Sequence, residues 1–311
     1  MHKSVCRSAL ISSSFLLLLL SCEEGLREKP AGEKAREDPV IAAVNYPLAY
    51  FAKRLADGFA TVLFDIPAGQ DPAFWEPSDQ QVTSIQKADL ILLNGANYAK
   101  WTATRTLPYE ATVVTSSSFE NQLIRLKDSI SHKHKKGSES HSHEGLAFTT
   151  WLDLKQASAQ ASAVALALTE QFPKHKTTLM NRLQDLQKDL KALDIAMKAA
   201  ASKLRPATVI TSHPVYHYWS RAYDLVTPSL LWEPGNEITP QDMAALANIR
   251  KTHPDARLFI WESTPLGRNV ELLKEAGLIS IVISPCANQP AEGDFLSVMR
   301  NNIAALEASG N

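Results

Sequence analysis

The sequence predicts an α/β protein: two αβ lobes with parallel sheets, joined by one long rigid helix, with a ligand cleft between the lobes. Three observations carry that expectation. Between Pro173 and Pro206 there is neither proline nor glycine, and Leu179, Leu183, Leu186, Leu190, Leu193, Met197, Ala200 and Leu204 recur at alternating spacings of four and three. Before this stretch short apolar strands alternate with amphipathic helices, and after it the same alternation begins again. Consecutive strand–helix–strand units pair as parallel sheets with helices on their faces.

The long helix, Lys174 to Leu204, should measure about 46 Å at about 1.5 Å per residue, long enough to pack along two bodies. Its other face carries Lys174, Lys176, Arg182, Asp185, Lys188, Asp189, Lys191 and Lys198 and should meet water. A coiled-coil dimer seam has the same spacing. The αβ segments on either side need a surface to pack on, which favours a helix internal to a monomer.

In chain order, residues 1–21 form a signal segment: Lys3 and Arg7, then the apolar run Ala9 to Leu20, too short for a permanent membrane span. Leu19-Leu20-Ser21-Cys22 resembles the bacterial lipoprotein signal, in which the cysteine becomes the lipidated first residue. With Cys6 removed and Cys22 acylated, only Cys286 remains, so an intramolecular disulfide is excluded in an oxidising compartment. Residues 22–38, charged and without apolar period, read as a flexible tether. The protein should then be extracytoplasmic and held to a membrane by lipid. A formal net charge of -1 gives no electrostatic footprint for nucleic acid.

Residues 39–172 should form the N-terminal lobe. Its strands are Val40–Val44, Thr61–Ile66, Leu90–Asn94 and Thr112–Thr115; its helices are one through Tyr50, Phe51 and Leu55, then Asp79–Lys87 and Leu152–Gln171. The linking helix occupies 173–204. Residues 205–311 should form the second lobe, with strands Thr208–Ser212, Leu230–Trp232, Leu258–Trp261 and Ser280–Ser284 and helices Val215–Tyr223, Pro240–Lys251, Asn269–Ala276 and Phe295–Leu306.

Open α/β sheets bind ligands beyond the carboxyl ends of their strands. Those ends carry Asp71 and Glu76, then His213, Glu233, Glu262 and Ser284 to Cys286. Imidazole and carboxylates from several strands meeting in one cleft suit a divalent metal, whereas any one of them alone would suit a helix cap or an ion pair with Arg221 or Arg268. There is no H-E-x-x-H, G-x-S-x-G or phosphate loop to support an enzyme.

The segments Ala68–Pro77, Ala88–Tyr98, Trp151-Leu152-Asp153, Thr211–Leu225 and Gly293–Leu306 resemble landmarks of the zinc and manganese solute-binding proteins of ABC importers, in order from about Val40 onward. The resemblance implies a metal held between two lobes and delivered to a permease driven by an ATPase. It also implies zinc ligands at positions that here hold Ala73, Thr149 and Ser284, leaving His213 as the one family position with a ligating side chain. The site would then be rebuilt from Glu76, Glu233 and Glu262. Glu76 is the weakest of these, because a glutamate before proline is usual in that family without ligating.

Residues 131–144 add a second metal feature, with the pairs His132/His134 and His141/His143. In extended backbone each pair lies on one face. Relatives that carry zinc often have such a loop, and imidazole suits zinc while manganese and iron remain the alternatives. His175, His217 and His253 read as surface, packing or supporting residues. A third reading, the same architecture holding a non-metal or chelated solute, would use Trp75, Trp232 and Trp261 as walls.

Overall fold

A computed structural model describes residues 38–126, 131–132, 141–142, 145–204 and 207–310. The signal segment, Cys22, the tether, His134 and His143 lie outside the described residues, and His132 and His141 are described by backbone alone. Residues Asp38–Asn311 form one compact unit.

The first sheet has the order β2-β1-β3-β4, all parallel, from β1 (Val40–Ala43), β2 (Thr61–Leu63), β3 (Leu90–Leu93) and β4 (Thr112–Val114). Alternation along the strands splits their side chains between two layers. Ile41, Leu90 and Leu92 enter the main core, packed with α1 (Tyr46–Ala56) and α3 (Leu154–Gln171). Ala42 and Ile91 face the other way, against Ile85 of α2 (Asp79–Gln86). A side chain at Gly95, just beyond β3, would meet Ser116 Oγ at 2.0 Å, and with φ at +79° only glycine suits this turn.

α4 (Lys176–Ser202) is the linking helix, about 40 Å long at about 1.5 Å per residue, preceded by a 3-10 turn over Pro173–His175. It packs on α3 and α1 along one stretch and on α8 (Phe295–Ser309) along another. Every residue of the expected stripe, Leu179 to Leu204, is buried in this chain's own core, so the stripe is not a dimer seam. Arg182 and Asp189 are only half-exposed: Arg182 donates to the carbonyls of Leu55 and Asp57, and Asp189 accepts from Arg54.

A two-residue antiparallel pair, β5 (Ser131–His132) and β6 (His141–Ser142), sets His132 opposite His141. The second main sheet is β7-β8-β9, parallel, from β7 (Val209–Thr211), β8 (Leu258–Trp261) and β9 (Ile279–Val282). α5 (His217–Ala222) follows β7. One face of this sheet joins the main core; the other packs Ile210 and Phe259 with Leu246 of α6 (Pro240–Thr252) and Leu273 of α7 (Gly267–Glu275).

The expected strand Leu230–Trp232 is not one. The chain from Val226 to Trp232 runs beside β7 and exchanges single bonds, Val209 N to Val226 O, Leu230 N to Thr211 O and Trp232 N to Ser212 O, with only isolated bridges at Val226 and Ser229. Pro228 has no N–H, so a continuous ladder cannot form through it.

Candidate functional site

The two sheets direct the carboxyl ends of their strands toward one cavity of about 600 Å³, lined from the first lobe by Gly69–Pro72, Tyr98, Phe148 and Thr149 and from the second by Val215, Glu233–Asn236, Glu262, Ser263 and Ser284–Pro290. A buried polar network fixes the first wall. Asn45 caps α1 and donates to Asn94; Asn94 donates to the Phe148 carbonyl; Thr150 and Gln160 both donate to the Asn94 side-chain oxygen. Every partner is internal, which makes the backbone at Phe148 and Thr149 stiff.

The lobes are tied around the cavity. The Thr149 hydroxyl donates to the Val215 carbonyl and Trp151 Nε1 to the Pro285 carbonyl, the latter at 2.7 Å. Tyr218 Oη donates to Ala147 O and accepts from Ile124 N, while Arg221 reaches the Gln122 carbonyl and lies 3.8 Å from Asp153. Asn288 Nδ2 donates to both Pro67 O and Gln70 O at 2.9 Å, clasping the loop that carries Asp71.

His213 follows β7 and is 1% exposed, behind the cavity wall rather than in it. Glu233 Oε1 stands 3.5 Å from its Nε2, and Glu262 Oε1 stands 3.7 Å from its Nδ1. The Trp232 carbonyl is 3.2 Å from Nδ1. A carbonyl only accepts, so this contact suits a proton on Nδ1, and Nε2 is the ring nitrogen that faces Glu233. The two expected carboxylates thus flank the imidazole from opposite ring nitrogens instead of meeting at one of them. Arg221 and Arg268 are engaged elsewhere, Arg268 with Glu237.

Glu76 is exposed and does not line the cavity; the chain turns it outward between buried Trp75 and Pro77. Ala73 is wholly buried, while Thr149 and Ser284 line the cavity; the Thr149 hydroxyl donates to Val215 O and that of Ser284 accepts from Cys286 N. Among the described residues no three His, Cys, Asp or Glu side chains converge as a metal site. Cys286 lines the cavity too, but burial, aided by the charge of Asp294, pushes its thiol up to about 12, so it stands there as a small thiol and not a thiolate.

The other histidines take supporting places. His217 begins α5 and is half-buried, with its basicity lowered by burial. His175 stacks on Phe59 at 4.0 Å between ring centres. The tryptophans are not walls: Trp232 and Trp261 pack on Phe259 in the second lobe's own core, and Trp75 is buried away from this cavity.

Sequence reasoning missed Tyr98, Phe148 and Asn288. Tyr98 is 5% exposed, its hydroxyl has no hydrogen-bond partner among the described residues, and burial beside Asp71 raises its pKa well above the usual tyrosine value. Its ring meets Phe148 edge-on at 5.4 Å. The available signal was the stretch Asn94-Gly95-Ala96-Asn97, whose asparagines and glycine suit left-handed backbone; the structure puts Ala96, Asn97 and Ala99 there.

Residues 41–309 match the profile of the family described as "ZnuA: Zinc-uptake complex component A periplasmic". The chain belongs to the ZnuA family. Among its relatives, the zinc-binding lipoprotein AdcA of Streptococcus pneumoniae is 26% identical over 308 residues, covering 96% of this chain and 60% of AdcA. The chain therefore spans about 60% of that relative's length. The manganese ABC transporter substrate-binding lipoprotein PsaA of Streptococcus pneumoniae is 25% identical, covering 94% of each chain. The metal-dependent lipoprotein YcdH of Bacillus subtilis shares the fold, with a TM-score of 0.73 at 20% identity over 88% of this chain and 98% of YcdH. The ZnuA family fold accounts for the two sheets, the linking helix and the cleft. It does not account for the residues at 73, 149 and 284.

Proposed function

We propose that this chain is the extracytoplasmic solute-binding component of an ABC importer, taking a divalent metal, zinc before manganese or iron, in the cleft and passing it to a permease driven by its ATPase. The observation that carries the reading is His213, buried beside the cleft of a ZnuA-family fold with Nε2 turned toward Glu233, which lines the cleft. An imidazole donor favours zinc over manganese. AdcA is named for zinc and PsaA for manganese, so the relatives support metal transport as the class and leave the metal to the donors. PsaA is named as a transporter component, which supports a role without turnover. The test is metal analysis of gently purified protein with calorimetric titration of zinc and manganese: a single tight zinc site per chain is expected, and a cleft that takes neither metal would overturn the reading.

Residues 131–144 belong to this proposal as a weaker gathering segment. Their roots are joined by Leu126 N to Gly145 O at 3.0 Å, and Phe148 on the cavity wall follows soon after. Deleting Ser131–Glu144 should lower the number of zinc ions bound per chain while one cleft ion remains. Loss of all binding would place the metal on the segment and not in the cleft.

Cys22 is the proposed lipid attachment, after the apolar run ending Leu19-Leu20-Ser21. Cys22→Ser should shift the protein from the membrane pellet to the soluble fraction with its circular dichroism unchanged; a variant that still sediments with membranes would rule out this anchor. In this reading the protein acts as a monomer.

A further inference from the structure

The donors at the cleft wall and just behind it fall short of a shell for a bare ion. Zinc takes four ligands in a closed site, or three and a water in an open one. Here His213 Nε2 and Glu233 can face one ion together. Glu262 stands at the other ring nitrogen, where the Trp232 carbonyl also lies. Ala73 has no donor, and Thr149 and Ser284 offer only neutral hydroxyl oxygens, which are not the imidazole, thiolate or carboxylate ligands that zinc takes.

The cavity also has room for more than an ion with its water. Six waters at about 30 Å³ each fill about 180 Å³. The cavity holds about 600 Å³. Much of its remaining wall suits organic matter: the rings of Tyr98 and Phe148, and Pro72, Pro234, Pro285 and Pro290. Into that wall is set the Tyr98 hydroxyl, buried and without a hydrogen-bond partner among the described residues. A buried donor of this kind is costly unless a ligand or water supplies an acceptor. Asp71, Glu233 and Glu262 make the lining acidic, which disfavours a chelator of net negative charge.

We propose that the cleft takes its metal as a complex with a small nitrogen-donor chelator, neutral or cationic overall. The chelator's nitrogens complete the shell that His213 and Glu233 begin, its apolar body lies on Tyr98 and Phe148, and an acceptor atom receives the Tyr98 hydroxyl. The proposal rests on the metal-importer reading and names the form in which the metal arrives.

Equilibrium dialysis of the full chain carrying Cys22→Ser tests it, using L-histidine as the nitrogen-donor probe and citrate as the anionic one. The arms are zinc chloride, labelled L-histidine, zinc with labelled L-histidine, and zinc with labelled citrate. The expected result is one labelled histidine or more retained per chain only when zinc is present, with citrate not retained. Tyr98→Phe and His213→Gln should each lower that retention at least tenfold. Zinc chloride alone filling a tight site that His213→Gln abolishes, with no label retained, would overturn the chelate and leave the importer reading standing. Retention that neither substitution alters would place the complex outside the cleft and overturn the chelate proposal. Failure to retain zinc in any arm would overturn both.

Discussion

His213→Ala is expected to weaken zinc binding in the cleft by more than about a hundredfold, because losses of about ten- to a hundredfold already follow when only a supporting partner of a ligand is removed. The measurement is competition against a chromophoric chelator in a background lacking Ser131–Glu144, so that the histidine segment does not contribute. His213→Gln keeps most of the side-chain volume at a position that is 1% exposed, and should lose binding to a similar degree. His253→Ala, near the end of α6 and remote from the cavity lining, should leave affinity unchanged. If His213→Ala and His213→Gln bind zinc as the parent does, the cleft-metal reading is wrong. Nothing on the tryptophans would then rescue an organic-solute reading, since Trp232 and Trp261 sit in a core that no solute reaches.

The fold was legible because its signals are periodic. The stripe on α4 has the helical spacing and no interruption, and β8 was bounded correctly because Leu258 to Trp261 is apolar throughout, as a strand covered on both faces must be. Val226 to Trp232 was not legible in the same way. Its apolar residues follow a strand pattern, but Pro228 lacks the N–H that a continuous ladder needs, although its carbonyl accepts from Thr211 N and the chain beyond it still runs alongside β7.

The candidate site was half legible for a different reason. His213, Glu233 and Glu262 lie together in the structure because each comes just after the carboxyl end of an apolar segment, and position along the chain fixes which edge of a sheet they occupy. What position along the chain could not supply is direction. Glu76 has the same sequence context as Glu233 and Glu262, a tryptophan before it, yet faces solvent because Trp75 and Pro77 both turn inward. Tyr98 and Asn288 act through contacts with residues remote in sequence, Phe148 and Pro67, and no local pattern encodes those.

Leu186→Ala should lower the unfolding free energy of the soluble body by about 2–5 kcal/mol, the range for truncating a buried leucine without full collapse of the cavity. Leu186 is wholly buried within α4, which packs on α1 and α3 of the first lobe and on α8 of the second. A loss of that size is a large fraction of the roughly 5–15 kcal/mol that holds a typical protein folded. Because the same helix completes the core of both lobes, the loss should appear as an earlier single transition in urea, with fluorescence and far-ultraviolet circular dichroism still coincident. Ile195→Ala, on the same helix but 61% exposed, should change stability by no more than about 0.5 kcal/mol. Two separated transitions in Leu186→Ala, one unmoved from the parent, would show that the lobes fold independently of the helix. A single shifted transition means that the linking helix is structural core for both lobes, and that the walls of the cleft owe their fixed spacing to it.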